Sequence, residues 1–173
     1  MSSDKIKVLF IGGSGRSGST LLEIMLGQID GFFPAGELMF IWERGLNEDQ
    51  LCGCGKKFSD CEFWGYVLKE AFGNIVKLDS YKIENLGKSI RRRFIFPIKT
   101  KRTRIRINKY SEIVSKLYES IYKTSGYKII VDSSKDSAYG FLLNNISNIS
   151  RFKNKEHIIG IIKGATQITC RDV

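Results

Sequence analysis

The chain has 173 residues, enough for one domain with a proper core and too few for two comfortable ones. Hydrophobic residues make up 42%, which excludes disorder as a description of the whole, and no apolar run reaches the roughly 18–20 residues of a membrane span. Lys and Arg outnumber Asp and Glu by 28 to 18, so anionic partners are expected. The start, MSSDKIKVLFIGG, carries an acid and runs straight into a strand-like segment, unlike a signal peptide. A cytoplasmic location is the expectation.

Lys5–Ile11 is a short apolar run ending in Gly12-Gly13, as a buried strand of a parallel sheet would. Ser17–Gln28 follows, with Leu21, Leu22, Met25 and Leu26 at helical spacing; Asp30-Gly31 and Pro34 break that helix. Phe33–Ile41 reads as a strand end running into a short helix, Glu48–Cys61 as a surface excursion, and Phe63–Phe72 as a helix. Lys82–Lys109 interleaves Arg and Lys with Ile and Phe, and reads either as a helix or as an extended lid. Tyr110–Ser125 is a clearer helix, with Ile113, Val114, Leu117, Tyr118 and Ile121 on one face and Gly126 closing it. Tyr127–Val131 reads as a second buried strand ending in the polar cluster Asp132-Ser133-Ser134-Lys135. Ser137–Ile146 reads as a helix and His157–Ile162 as a third strand. Strands alternating with helices give an α/β fold with a parallel sheet flanked by helices.

Between Lys88 and Lys109 lie ten basic residues and no acid, equal to the whole net charge of +10. Such a stretch attracts a nucleotide, an acidic acceptor, a lipid headgroup or nucleic acid, and a solvated basic face is its plainest reading. Cys52, Cys54 and Cys61 form C-x-C-x6-C, with Cys170 distant and the one histidine, His157, elsewhere. A structural zinc site takes four ligands, usually with paired C-x-x-C spacing, so the cluster is one short. Reduced thiols are the favoured reading and no metal is expected, with a local disulfide and a metal as the alternatives.

Gly12-Gly13-Ser14-Gly15-Arg16-Ser17-Gly18-Ser19-Thr20 joins the first strand to the first helix. Its glycines let successive N–H groups turn inward as an anion nest, and the helix N-terminus adds unpaired N–H groups and a positive dipole end. Arg16 supplies a cationic fork, and Ser17, Ser19 and Thr20 supply hydroxyls. Against the phosphate-loop pattern G-x-x-x-x-G-K-[ST], Gly13, Gly18 and Thr20 fit, while Ser19 stands where the lysine belongs. The dinucleotide pattern G-x-G-x-x-G also traces through Gly13, Gly15 and Gly18, with Glu37 at roughly the distance of its acidic residue.

G-S-G-R-S-G-S-T-L-L after a strand resembles the 5′-phosphosulfate loop of sulfotransferases that use 3′-phosphoadenosine-5′-phosphosulfate (PAPS), in particular the bacterial and Golgi-type branch. Ala35-Gly36-Glu37-Leu38, the stretch C-G-C-G-K-K-F-S-D-C-E-F-W and Val131–Lys135 (V-D-S-S-K) resemble further segments of that family, scattered over residues 5–140 in the family's order. The resemblance implies a three-layer, P-loop-type sheet in a single domain over residues 1–173, with 82–109 as a basic lid or acceptor segment. It implies transfer of a sulfuryl group from PAPS to a hydroxyl or amine of a small-molecule, glycan or lipid acceptor, without a metal. Glu37 matches the general base. Arg16 and Lys135 match the groups that stabilise the transferring charge. Gly13, Ser14, Gly15, Arg16, Ser17, Gly18, Ser19, Thr20, Ser133 and Ser134 match donor-binding positions.

The family's second hallmark, a strand followed by R-D-P-R and a later Ser for the 3′-phosphate, has no counterpart after His157–Ile162, where Lys163-Gly164-Ala165-Thr166 follows. Cys170-Arg171-Asp172-Val173 stands at the end. A truncated member is therefore one expectation. The competing readings are a P-loop nucleotide or small-molecule kinase, a non-catalytic anion-binding remnant, and a basic nucleic-acid module. For the last, Phe94, Phe96 and Tyr110 lie near the basic stretch but no RNA- or DNA-binding motif is present.

Overall fold

The structure is a computed structural model that describes residues 6–73, 78–91 and 100–150. Its centre is a parallel sheet of order β2-β3-β1-β4. β1 (Ile6–Gly12) pairs in parallel with β3 (Ile129–Lys135), Val8 against Ile130 and Gly12 against Lys135. β2 (Phe32–Pro34) lies on the other side of β3, and β4 (Ile149–Ser150) adds two residues beside β1. Parallel neighbours need crossover connections, and the chain supplies them as helices: α1 (Ser19–Leu26) after β1, α2 (Glu62–Phe72), α3 (Ser80–Arg91) and α4 (Lys101–Ser125) between β2 and β3, and α5 (Ser137–Asn144) after β3. The α/β class and the parallel sheet expected from the sequence are present.

β3 differs from its expectation. Instead of ending at Val131 it continues through the polar run to Lys135. Asp132, Ser133 and Ser134 are all buried there, because each has an internal partner. Tyr118 of α4 donates to the Asp132 carboxylate, and the Ser133 hydroxyl donates to Glu23 of α1. Successive strand side chains point to opposite faces, so α4 and α1 approach β3 from opposite sides.

The segment expected at 82–109 is described in part. Residues 80–91 form α3, whose Lys88 bridges Glu84 and Glu43, while 92–99 lie outside the described residues. α4 starts at Lys101 rather than at Tyr110, with Thr100 as its cap: the Thr100 hydroxyl accepts from the Thr103 N–H. Its first turns bury only Thr103, so no apolar stripe marks them. From Tyr110 onward the stripe is complete, and Val114, Leu117, Tyr118 and Ile121 are fully buried. α3 meets α4 where Gly87 lies against the Tyr110 ring; a Cβ at Gly87 would come within 2.8 Å of it. α2 is tied to α4 by the Ser120 hydroxyl, 2.7 Å from the Val67 carbonyl.

After β2 the chain forms a 3-10 turn (Leu38–Phe40), a π-helical stretch (Ile41–Asn47) that buries Trp42, and a hairpin closed by the bridge Leu51–Lys57. The expected excursion at Glu48–Cys61 is thus ordered, and its end is anchored: Phe58 and Cys61 are buried and Phe58 stacks on Trp64. The expected strand His157–Ile162 and the residues after it lie outside the described residues. Among the described residues no helix is long and apolar enough to cross a membrane.

Candidate functional site

Three strands of the sheet end together, and the segments that leave them meet. Gly12 pairs with Lys135, and the Gly13 N–H donates to the Lys135 carbonyl at 3.2 Å, so the glycine-rich loop starts beside Lys135. The Ala35 N–H donates to the Val131 carbonyl at 2.9 Å and the Ser133 N–H to the Gly36 carbonyl at 3.0 Å, which extends the β2–β3 pairing up to Glu37. The carboxyl ends of parallel strands are where α/β sheets place ligands. Residues 13–20, 36–37 and 133–135, assigned separately from sequence, stand at that edge.

The loop turns through left-handed backbone at Arg16 (φ 60°) and Gly18 (φ 77°), and Gly18 is the cap from which α1 starts. Ser14, Gly15, Arg16, Gly18 and Thr20 are exposed, Gly13 and Ser17 are half-buried, and Ser19 is buried. The first N–H groups of α1 lack helical acceptors by geometry and face the same end as the exposed loop.

Glu37 is the centre of charge. It is ion-paired with Lys135 on one carboxylate oxygen and with Arg44 on the other, the latter at 2.5 Å. Burial pushes its carboxyl up, but the hydrogen bonds and charges of Lys135 and Arg44 outweigh that and hold it below the ordinary carboxylate range. Arg44 also lies 4.0 Å from the centroid of the Phe40 ring. Lys135 itself has left-handed backbone (φ 64°), which turns it out of the strand end.

Beneath these groups is a buried polar layer. Glu23 accepts the Ser133 hydroxyl and the Gly36 N–H, tying α1 to both site segments. Burial raises its carboxyl above the ordinary value, against the lowering effect of those two donors. Asp132 accepts from Tyr118 and from the N–H and hydroxyl of Ser134, and burial pushes it up to about 6 despite these bonds. The Ser134 hydroxyl also receives the Met39 N–H at 3.0 Å. The hydroxyls of Ser133 and Ser134 are therefore engaged internally, Ser133 at the floor of the cleft and Ser134 within the core.

A cleft of about 460 Å³ opens beside Glu37. Thr20, Glu37, Phe40 and Arg44 line one side, and Leu51, Cys52 and Gly53 of the hairpin the other.

Sequence reasoning missed Glu23 and Arg44 as parts of the site. A lone acid inside the apolar helix run L-L-E-I-M-L was a usable signal for Glu23, since a carboxylate there needs partners. Arg44 carries no local signal, because only the π-helical turn returns it to Glu37. Compared with known protein families, with curated proteins and with solved structures, the chain gives no match.

Proposed function

We propose that this chain is a sulfotransferase with a three-layer, P-loop-type sheet, moving a sulfuryl group from PAPS to an acceptor hydroxyl or amine held in the cleft beside Glu37. The observation that carries this reading is the meeting, at one sheet edge, of the lysine-free glycine and hydroxyl loop with the Glu37–Lys135 ion pair. The loop N–H groups, the start of α1 and Arg16 suit the donor's 5′-phosphosulfate.

In transfer, the acceptor oxygen or nitrogen forms a bond to sulfur as the bond from sulfur to the 5′-phosphate oxygen breaks. The acceptor proton goes to Glu37, and the electron pair leaves with the phosphate as 3′-phosphoadenosine-5′-phosphate (PAP). Sulfuryl oxygens beside Lys135 compete with Glu37 for one ammonium. Each contact that Lys135 shifts from Glu37 to the sulfuryl group raises the proton affinity of Glu37 when a base is needed. Arg16 and the loop stabilise the charge gathering on the departing phosphate.

The kinase alternative loses support at Asp132. A magnesium-binding carboxylate at a strand end must face the phosphates, and Asp132 is fully buried against Tyr118 and Ser134. The test is acceptor-dependent release of PAP from PAPS by the full chain, screened over sugar, lipid, phenol and amine acceptors. Release that Glu37→Gln lowers about 10²–10⁴-fold supports the proposal. Magnesium-dependent consumption of ATP with no PAP formed would overturn it.

A further inference from the structure

Outside the sheet-edge site, the densest group of nucleophilic side chains among the described residues is at the hairpin. Cys52, Cys54 and Cys61 bring their three sulfurs within 4.8 Å of one another, and the Cys54 and Cys61 sulfurs are 3.7 Å apart. We propose that these three thiolates bind one zinc ion, which fastens the hairpin to the start of α2 and so fixes the far wall of the cleft.

Size comes first. Zinc–sulfur bonds of about 2.3 Å in a tetrahedron put neighbouring sulfurs about 3.8 Å apart, the spacing seen between Cys54 and Cys61. Disulfide sulfurs bond at about 2.05 Å, and a disulfide would use two of the three and leave the third thiol facing it.

The backbone supports the cluster independently of the sulfur spacing. The Cys52 N–H donates to the Lys56 carbonyl and the Gly55 N–H to the Cys52 carbonyl, both at 2.8 Å, which curls 52–56 into a tight knuckle. Gly55 has φ 84°, a conformation that side chains rarely adopt. Within the knuckle the Cys54 N–H is directed at the Cys52 sulfur and the Lys56 N–H at the Cys54 sulfur, so the backbone curls around the two sulfurs.

The third sulfur comes from a different element. Cys61 caps α2, so its position is set by the start of that helix. The approach of Cys61 to the knuckle is braced by Asp49, which accepts both the N–H and the hydroxyl of Ser59, and by the Phe58 N–H donating to the Gln50 carbonyl at 3.0 Å.

Three soft sulfur donors, with no histidine or carboxylate among the described residues grouped with them, select a thiophilic ion. Structural zinc usually has four protein ligands, but three with solvent in the fourth position is a set zinc takes in catalytic sites, and exposed Cys54 leaves that position open to solvent. Cys52 of the cluster also lines a wall of the cleft, together with Leu51 and Gly53. The ion would act on that wall by holding it, at a distance from Glu37 and without a part in the transfer step, so this inference stands apart from the proposed reaction.

The test uses the full chain in a Cys170→Ser background, so that the cluster holds its only thiols. Stoichiometric zinc in protein isolated without chelator, and cobalt(II) substitution giving intense sulfur-to-cobalt charge-transfer absorption, are the expected results. Cys54→Ser, at an exposed position that leaves the fold's core untouched, should weaken zinc binding by about 100-fold or more in competition with a chromophoric chelator. Cys52→Ser provides a second reading should that variant misfold. Cobalt bound without charge-transfer absorption, zinc affinity unchanged by Cys54→Ser, or two of the three thiols found as a disulfide in a reducing buffer would each overturn the proposal.

Discussion

Replacing Asp132 by Asn tests the buried layer on which the sheet edge rests. Asp132 is 0% exposed, and burial raises its carboxyl from the ordinary 3.8 to about 6. At about 1.4 kcal/mol per tenfold change in proton affinity, that displacement is worth about 3 kcal/mol. The folded pKa lies above the unfolded one, so the contribution is fully present below pH 3.8 and is lost as pH rises through 6. Asn at this position has no titration. Its carbonyl can take the Ser134 N–H and hydroxyl, and the Tyr118 hydroxyl can turn to accept from its amide. The stability of the native chain minus that of Asp132→Asn should therefore fall by about 3 kcal/mol between roughly pH 3.5 and pH 7. Urea denaturation of both proteins at half-unit steps of pH measures it. Glu23, also raised, titrates in both proteins and largely cancels in the difference. A difference that stays constant across the window would refute the claim that Asp132 is a buried carboxyl opposed by its surroundings.

Glu23→Ala should destabilise the fold by about 2–4 kcal/mol, because it leaves the buried Ser133 hydroxyl and the half-buried Gly36 N–H without an acceptor. Glu23→Gln, which keeps a carbonyl oxygen, should lose less than half as much in the same denaturation experiment. Lys135→Met should raise the Glu37 titration midpoint, followed by carboxyl carbon NMR, since Lys135 is the strongest influence holding it down. The depressed Glu37 carboxyl contributes stability above its ordinary value of 4.5 that is lost as pH falls through its folded value, and this acid-side loss should shrink in Lys135→Met. An unchanged midpoint would show that the ion pair does not govern Glu37.

What the sequence made legible was local. The loop at 13–20 could be read because glycines and hydroxyls between a strand and a helix have one common physical use, and Glu37 only because Ala35-Gly36-Glu37-Leu38 resembles a segment of the sulfotransferase family. The strand through Asp132-Ser133-Ser134 was hidden, because a polar run reads as a turn unless its partners are known. Those partners are Tyr118, Glu23 and Met39, distant in the chain. The start of α4 was hidden for the opposite reason: Arg102, Arg104 and Arg106 stand on a helix that buries only Thr103 in its first turns, so periodicity is silent and only the Thr100 cap marks it. The three cysteines illustrate a further limit. Their spacing fell short of a familiar zinc pattern, yet the knuckle and the α2 cap bring the sulfurs together.

The most direct test of the proposed function is calorimetric titration of the full chain with PAP, run beside ATP with magnesium and repeated on Arg16→Ala. The account predicts saturable PAP binding, a weaker response to ATP, and loss of PAP affinity by about 10-fold or more in Arg16→Ala, a charge-assisted contact being worth about 1.5–3 kcal/mol. Binding of neither nucleotide, or PAP binding that Arg16→Ala leaves intact, would contradict it.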